Sequence, residues 1–523
     1  MATVYEGRIL TVDAIDSVAR FLVEEKGLIA YVGNDLPEKY GNCERVDLGD
    51  DVLAPAFVDT HAHLDMQALV GGFTSASEAG AISEVLDCVR SCAQAGRMPV
   101  AAAFGASDHL LEEGRLPNKA EMDSACPERP AMVIRYDGHA CVANTKLIGA
   151  IGAGTGDLDG FHGESGLLEG EAFAGALRFA RESVPQSVFL GGIQDAIDRY
   201  AAHGFCLAGN STGFGMKWNA DISFARWIAK SLKGGFQLRV WPQSQRPAVA
   251  LKSKIARVGG CFEPALDGTF GGRDAALRVP YCGDGGNKGC LRLSDEQVEE
   301  FCFQAHNHKL QVALHAVGDA AFDQAARCLA RTIDRSFKEA HRHGIIHACL
   351  PTEEGLDLCA RYGFHLMMQP SFLAREQEPE GYLRTILGES RARGFMPLRT
   401  IWDKGISVSA GSDAPCTPPD ALEWMYRACN HPEPGQSLTA REALRMCTIN
   451  GAWVTYDEDE FGSLEEGKVA SMVRLSANPY EVPASELRSI QVKQTILYGR
   501  PYAPVRLNPA SVMAKGLLTY GYC

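Results

Sequence analysis

The chain has 523 residues, 46% of them hydrophobic and 22% charged, with a formal net charge of −14 at pH 7. That length exceeds one ordinary core and suits a barrel with an accessory domain, and the composition is that of a soluble globular protein. The acidic balance argues against nucleic acid and anionic membranes as partners, since both call for basic patches.

The opening Met1–Arg8 lacks the basic and then apolar regions of a signal peptide. No apolar run reaches the length of a bilayer span, so a cytoplasmic protein is expected. Residues 1–54 read as short strands, Val4–Val12, Phe21–Glu25 and Leu28–Val32, broken at Glu6-Gly7, Lys26-Gly27 and Gly33-Asn34. This segment is too small to hold a good core alone. The other end of the chain offers a partner. The turn-rich Gly462–Lys468 leads into Val469–Leu475, and Gln491–Tyr498 follows as a second strand. The two ends are expected to pair into one small β domain.

An apolar run then ends in Asp59-Thr60-His61-Ala62-His63. Successive side chains of a strand alternate faces, so His61 and His63 point the same way. Two imidazoles converging at a strand end can grip a transition metal. A lone His-x-His is more simply a pair on a solvated strand end, and only distant partners overturn that reading.

Beyond it, short apolar strands alternate with amphipathic helices, the signature of a parallel α/β fold. Strands are expected at Val133–Arg135, Cys206–Ala208, Gln237–Val240, Gln311–His315, Gly344–His347, Phe364–Met368 and Ile406–Ala410. Helices are expected at Ile82–Ala95, Val188–Ala202, Phe224–Leu232, Asp295–Asn307, Asp319–Ser336 and Ala421–Cys429. Ser294–Gln297 and Thr439–Glu442 have the pattern of capping boxes. The stretch from 66 to about 185 is too long for one strand–helix unit and is expected to include an insertion over the active face. Glycine and proline concentrate at 138–170, 264–292 and 414–435, which read as active-site loops.

Further polar residues end later strands: His315 after Val312-Ala313-Leu314, His347 after Ile345-Ile346, and Asp413 after Val408–Ser412. In a closed parallel barrel the C-terminal strand ends meet at one face. Four histidines and an aspartate delivered there would make a metal site for hydrolysis. His306, His308, His341 and His343 read as solvated helix-end and loop residues, and Met367 and Met368 as packing. The 17 cysteines form no Cys-x-x-Cys pair. Buried thiols in a reducing compartment account for them better than disulfides or a cysteine metal site.

Taken in order, these motifs resemble the amidohydrolase superfamily, and within it amidohydrolase family 3, the branch that includes N-substituted formamide deformylases. Asp59–His63 is similar to the family's first-strand ligands. Asp137-Gly138-His139 with Asn144, and His315–Ala321, are similar to motifs of this branch. Gln369-Pro370, Leu387-Gly388-Glu389 with Arg391, Gly411–Pro415 and Gly462–Lys468 follow in the expected order. The resemblance implies a (β/α)8 TIM-like metal-dependent hydrolase barrel over 55–461. It also implies a composite β-sandwich domain from 1–54 plus 462–523.

The chain departs from the family pattern at the bridging position. Many members carry a lysine, read as a carboxylated metal bridge, four residues before an Asp-Gly; counting back from Asp267-Gly268 places Glu263 there. A glutamate is already a carboxylate and could bridge or ligate without modification. Gly344-Ile345-Ile346-His347 also lacks an acidic residue common in the family, and Ser471 stands where an aspartate is usual.

The resemblance thus implies that His61, His63, Glu263, His315, His347 and Asp413 surround one or two divalent ions, zinc being favoured. Metal-activated hydroxide would attack the substrate, with Asp413 accepting the water proton and passing it to the leaving nitrogen. His139 could donate to the developing oxyanion, or only shape the pocket. Tyr136, Asp137, Arg273 and Gln369 are weaker pocket candidates, and Arg273 and Asp137 are equally readable as structural ion-pair partners. The expected reaction is hydrolysis of a C–N amide-type bond, linear or cyclic or formamide-like, in a small-molecule substrate. A lyase or isomerase on the same barrel is the alternative, since fold does not fix reaction. A non-catalytic scaffold ranks last, because none of the six positions is lost. Substrate identity, metal count and homo-oligomer formation stay open.

Overall fold

The structure, a computed structural model, describes residues 2–153, 158–232, 235–338, 340–375, 381–504 and 506–518, with the side chains of 262–264 and 375 outside the description. Its centre is eight parallel strands. They are β1 (Phe57–Ala62), β2 (Phe205–Thr212), β3 (Gln237–Pro242), β4 (Arg257–Ala265), β5 (Gln311–Ala316), β6 (Gly344–His347), β7 (His365–Met368) and β8 (Val408–Ala410). β1, β2 and β3 form one sheet with β2 in the middle, and β4 to β8 form a second in chain order. The sheets adjoin at both edges, β3 beside β4 and β8 beside β1. Across the second junction the Thr60 hydroxyl donates to the Ala410 carbonyl at 2.9 Å. Every residue of β1, β2 and β5 to β8 is buried. Parallel strands covered on both faces favour apolar residues, and polar ones buried in β1 and β2 have partners: Asp59 accepts the His61 N–H at 3.0 Å and Asn210 the Leu64 N–H at 2.8 Å.

Helices return the chain between strands. Ser294 caps Asp295–Asn307 and Thr439 caps Ala440–Met446, each in a closed capping box with the glutamine or glutamate three residues on. Aromatic rings fill the space under β1 and β2: Phe205 lies edge-on to Phe57 at 5.7 Å between centroids and against Trp424 at 5.2 Å.

Two strands differ from expectation. Val133–Arg135 belongs to Ala131–Arg135, which sits in a separate six-stranded sheet built from residues between 74 and 169. Its place among the eight is taken by β4, whose Gly259-Gly260 and Pro264 are breaker residues that hide a strand from local reading. A third sheet of seven strands unites both chain ends: Ala2–Leu10, Val18–Glu25, Leu28–Gly33 and Glu44–Pro55 with Met472–Leu475, Val492–Leu497 and Arg500–Pro501. Its antiparallel register pairs Met472 with Pro55, just before β1 begins.

The histidines before β6 are not solvated, as their loop position suggests: His343 and His306 are buried and His341 half-buried, in a linked chain, while His308 is exposed as expected. His343 accepts the Val312 N–H on Nδ1 at 3.0 Å, so its Nε2–H donates to His306 Nδ1 at 2.9 Å. His306 passes its own Nε2–H to the Ser336 carbonyl, and His341 Nε2 donates to the Tyr362 carbonyl at 3.0 Å. Burial, with the neighbouring imidazoles, holds His343 well below its ordinary pKa. Every described cysteine is a free thiol. No helix among the described residues is long and apolar enough to cross a membrane.

Candidate metal centre

The C-terminal ends of β1, β5, β6 and β8 deliver the polar side chains to one place. His61 Nε2 and His63 Nε2 each lie 3.1 Å from Asp413 Oδ1. The Asp413 N–H donates to the His61 carbonyl at 2.8 Å, so the aspartate is fixed to β1 by backbone as well as side chain. Burial would raise the Asp413 carboxyl, but hydrogen bonds from His61 and His63 outweigh it and hold the group well below the usual range. Asp413 at φ +54° and His347 at φ +72° sit in the left-handed region. Strain of this kind, costing about 1–3 kcal/mol per residue, collects at functional sites.

His347 has a defined tautomer. The Gln369 amide is oriented by its Nε2 donating to the Met367 carbonyl at 3.1 Å, so its Oε1 accepts from His347 Nδ1 at 2.7 Å. The lone pair on His347 Nε2 therefore faces inward. Such a second-layer hydrogen bond is how proteins aim a metal-ligating imidazole. Phe372 stacks on the same ring at 5.8 Å.

His315 is fully buried, and neither ring nitrogen makes a hydrogen bond. Its Nδ1 lies 3.3 Å from Asp267 Oδ1, and its ring meets His347 at 4.7 Å and His139 at 5.5 Å. Burial, then Arg292, pushes His315 down to about 3. A buried neutral imidazole whose nitrogens make no hydrogen bond is costly unless a ligand completes it. This orphaned donor set fits a divalent cation.

One donor was not foreseen. His61, Cys261, His347 and Asp413 each place a ligand atom within 4.8 Å of the others, all four buried. The scattered cysteines argue against a thiol at the metal site, yet the structure puts Cys261 in the middle of it. No local pattern marks Cys261, because it lies on the strand that the breakers conceal. The other residue expected from this strand, Glu263, has a side chain outside the described residues.

The pocket candidates divide. Tyr136, Asp137 and His139 line the cavity beside His315, His347 and Asp413. Asp137 is engaged by Arg135 at 2.7 Å and by the Thr269 hydroxyl at 2.6 Å. Burial opposes its ionisation, but Arg135 dominates and lowers its pKa. Burial, followed by His315, brings His139 down to about 4. Gln369 acts behind His347 instead of lining the cavity. Arg273 is not brought in: its guanidinium, 41% exposed, faces Asp284 at 3.6 Å. A wider cavity of about 450 Å³ meets the centre at His139 and is bordered by Arg178, Arg246 and Arg292.

Behind β1, Asp59 receives the Ser412 hydroxyl at 2.5 Å, the Tyr200 hydroxyl at 2.8 Å and the His61 N–H at 3.0 Å. Burial nevertheless raises Asp59 to about 7. This network ties the ends of β1 and β8 together below the donor cluster.

Comparison with known proteins bears on the family and the fold. The sequence profile of the amidohydrolase family matches residues 44–503. The chain is 26% identical to the putative amidohydrolase YtcJ of Bacillus subtilis, over 91% of this chain and 94% of that one. It is also 26% identical to the N-substituted formamide deformylase of Arthrobacter pascens, over 95% and 97% of the two chains. An uncharacterised metal-dependent hydrolase from Pyrococcus horikoshii shares the fold, with a TM-score of 0.74 and 21% identity over 92% of this chain and 99% of that one. With the profile covering most of its length, the chain belongs to the amidohydrolase family.

Proposed function

We propose that the protein is a metal-dependent amidohydrolase that hydrolyses a C–N amide-type bond, linear or cyclic, in a small molecule. We infer further that β1 to β8 close into a (β/α)8 barrel, and that the sheet from the two chain ends is its flanking β-sandwich domain. The adjoining edges β3–β4 and β8–β1 support the closure. The observation that carries the functional reading is the convergence of His61, His63, His347 and Asp413 beside His315, whose ring nitrogens make no hydrogen bond.

A divalent metal held by these residues would supply Lewis-acid polarisation of the substrate carbonyl and a lowered pKa for attacking water. Zinc suits the mixed imidazole, carboxylate and thiol donors. The Asp413 carboxylate, kept ionised by His61 and His63, takes the proton of water as its oxygen adds to the carbonyl carbon. The C–N bond then breaks and Asp413 returns that proton to the leaving nitrogen, giving a carboxylic acid and an amine. His139 is neutral at pH 7 and directs its ring into the cavity, where one N–H can steady the carbonyl oxygen. Phe270 and Phe372 wall the same cavity and limit water to the reacting molecule. The similarity to an N-substituted formamide deformylase supports formamide-like amides as the first substrates to try.

The test is a panel of N-substituted formamides, linear amides and cyclic amides offered to zinc-loaded protein in ¹⁸O-labelled water. Metal-dependent release of amine, with solvent oxygen in the acid product, is the expected result. Turnover without solvent oxygen would point to lyase or isomerase chemistry. No turnover across the panel by metal-loaded protein would overturn the reading.

A further inference from the structure

β4 is built to aim one thiol. Its ladder with β5 runs from Arg257–Gln311 to Gly260–Leu314 and then jumps to Ala265–His315, so residues 261–264 leave the register. Gly259 and Gly260 have φ of +132° and +145°. A Cβ on Gly259 would stand 1.9 Å from the Ala313 carbonyl oxygen, and one on Gly260 would stand 2.6 Å from Gln243 Cγ. Only glycines permit that path. Gln243 Oε1 then accepts the Cys261 N–H at 2.9 Å and fixes the residue that follows. The result is a buried Sγ 3.1 Å from His61 Nε2 and 3.4 Å from His347 Nε2.

That arrangement gathers four donor atoms at one point, since ligand atoms of His61, Cys261, His347 and Asp413 all lie within 4.8 Å of one another. His347 spends its N–H on Gln369, and Asp413 brings an acceptor oxygen to within 3.1 Å of His61. A cation at the centre would satisfy all four groups together.

We propose that Cys261 is a thiolate ligand of the metal, a donor that β4 contributes to the site. The proposal rests on the metal-dependent reading above and assigns the residue that sets metal preference. On coordination the S–H bond breaks, the sulfur–metal bond forms and the proton leaves to solvent. Thiolate with Asp413 supplies two negative charges against a divalent ion. It biases the site towards thiophilic ions such as zinc and away from magnesium or manganese.

The test uses the full chain loaded with Zn²⁺ alone or Co²⁺ alone. X-ray absorption at the zinc edge is expected to show a sulfur scatterer at about 2.3 Å beside nitrogen and oxygen at about 2.0–2.2 Å. The cobalt form is expected to show a near-ultraviolet sulfur-to-metal charge-transfer band that Cys261→Ser loses and that a variant of another thiol lining the cavity, Cys416→Ser, keeps. The zinc-edge measurement needs no variant, so it decides the matter even if Cys261→Ser fails to fold. A shell of nitrogen and oxygen only, or a band surviving in Cys261→Ser, overturns the proposal. If that shell accompanies intact amide turnover, the hydrolase reading stands while thiolate ligation falls. Failure to bind either metal overturns both.

Discussion

Replacing Gln369 by leucine removes the acceptor that fixes the His347 ring. Both residues are buried, and the bond between His347 Nδ1 and Gln369 Oε1 is 2.7 Å. Leucine keeps most of the volume but leaves a buried N–H without a partner, a loss of about 1–3 kcal/mol. The ring can relieve this by moving its proton to Nε2, which then presents N–H, not a lone pair, to the donor cluster. Either way metal binding bears the cost, and loss of such a supporting partner typically lowers metal affinity about 10–100-fold. That range corresponds to about 1.4–2.8 kcal/mol. Chelator-stripped wild type, Gln369→Leu and Gln369→Glu would be titrated with Zn²⁺ against a competing indicator, with thermal unfolding of each metal-free form alongside. The leucine variant should bind more weakly by that factor, and the glutamate, which keeps an acceptor, should recover most of it. Equal affinity in Gln369→Leu, with unchanged unfolding of the metal-free form, would refute the reasoning.

Asp413→Asn keeps the shape of the centre but removes the group that moves the proton, so kcat should fall about 10²–10⁴-fold with the fold intact; circular dichroism and amide turnover check this, and wild-type turnover would remove Asp413 from the chemistry. Gly259→Ala drives a Cβ into the Ala313 carbonyl at 1.9 Å and should cost at least about 3 kcal/mol in urea unfolding, from strain and lost β4–β5 pairing. A loss below about 1 kcal/mol would mean that β4 can take another path. His365 is buried between the Ser407 and Ser409 hydroxyls at 2.8 and 2.7 Å, and burial followed by Arg342 lowers it to about 3. Its stabilising contribution is complete above about pH 6.5 and is lost as pH falls from there towards about 3, because the unfolded chain binds the proton first. Between pH 7.5 and 5.0 the stability gap between wild type and the non-titrating His365→Gln should therefore shift by about 2 kcal/mol against wild type. Urea unfolding at the two pH values reads this directly, and a gap that does not move with pH would show that His365 titrates normally in the folded chain.

What the sequence determined by itself is mostly local. Alternation along Asp59–His63 turns His61 and His63 to one side, and the structure holds both on Asp413 Oδ1. Helix periods and capping residues marked Ile82–Ala95, Asp295–Asn307 and Ala421–Cys429 to the residue, because caps and amphipathic spacing act within a few positions. Tertiary structure decided the rest. Ala131–Arg135 and Gly344–His347 look alike as short apolar runs, yet one joins the outlying sheet and the other the central strands; pairing depends on partners far away in the chain. His343 was legible only as a loop histidine, since its burial comes from Val312 and His306, more than 30 residues upstream. Cys261 carries no motif at all. Its role arises where two glycines bend β4 out of register and Gln243 fixes the turn, a convergence that exists only once the strands have assembled.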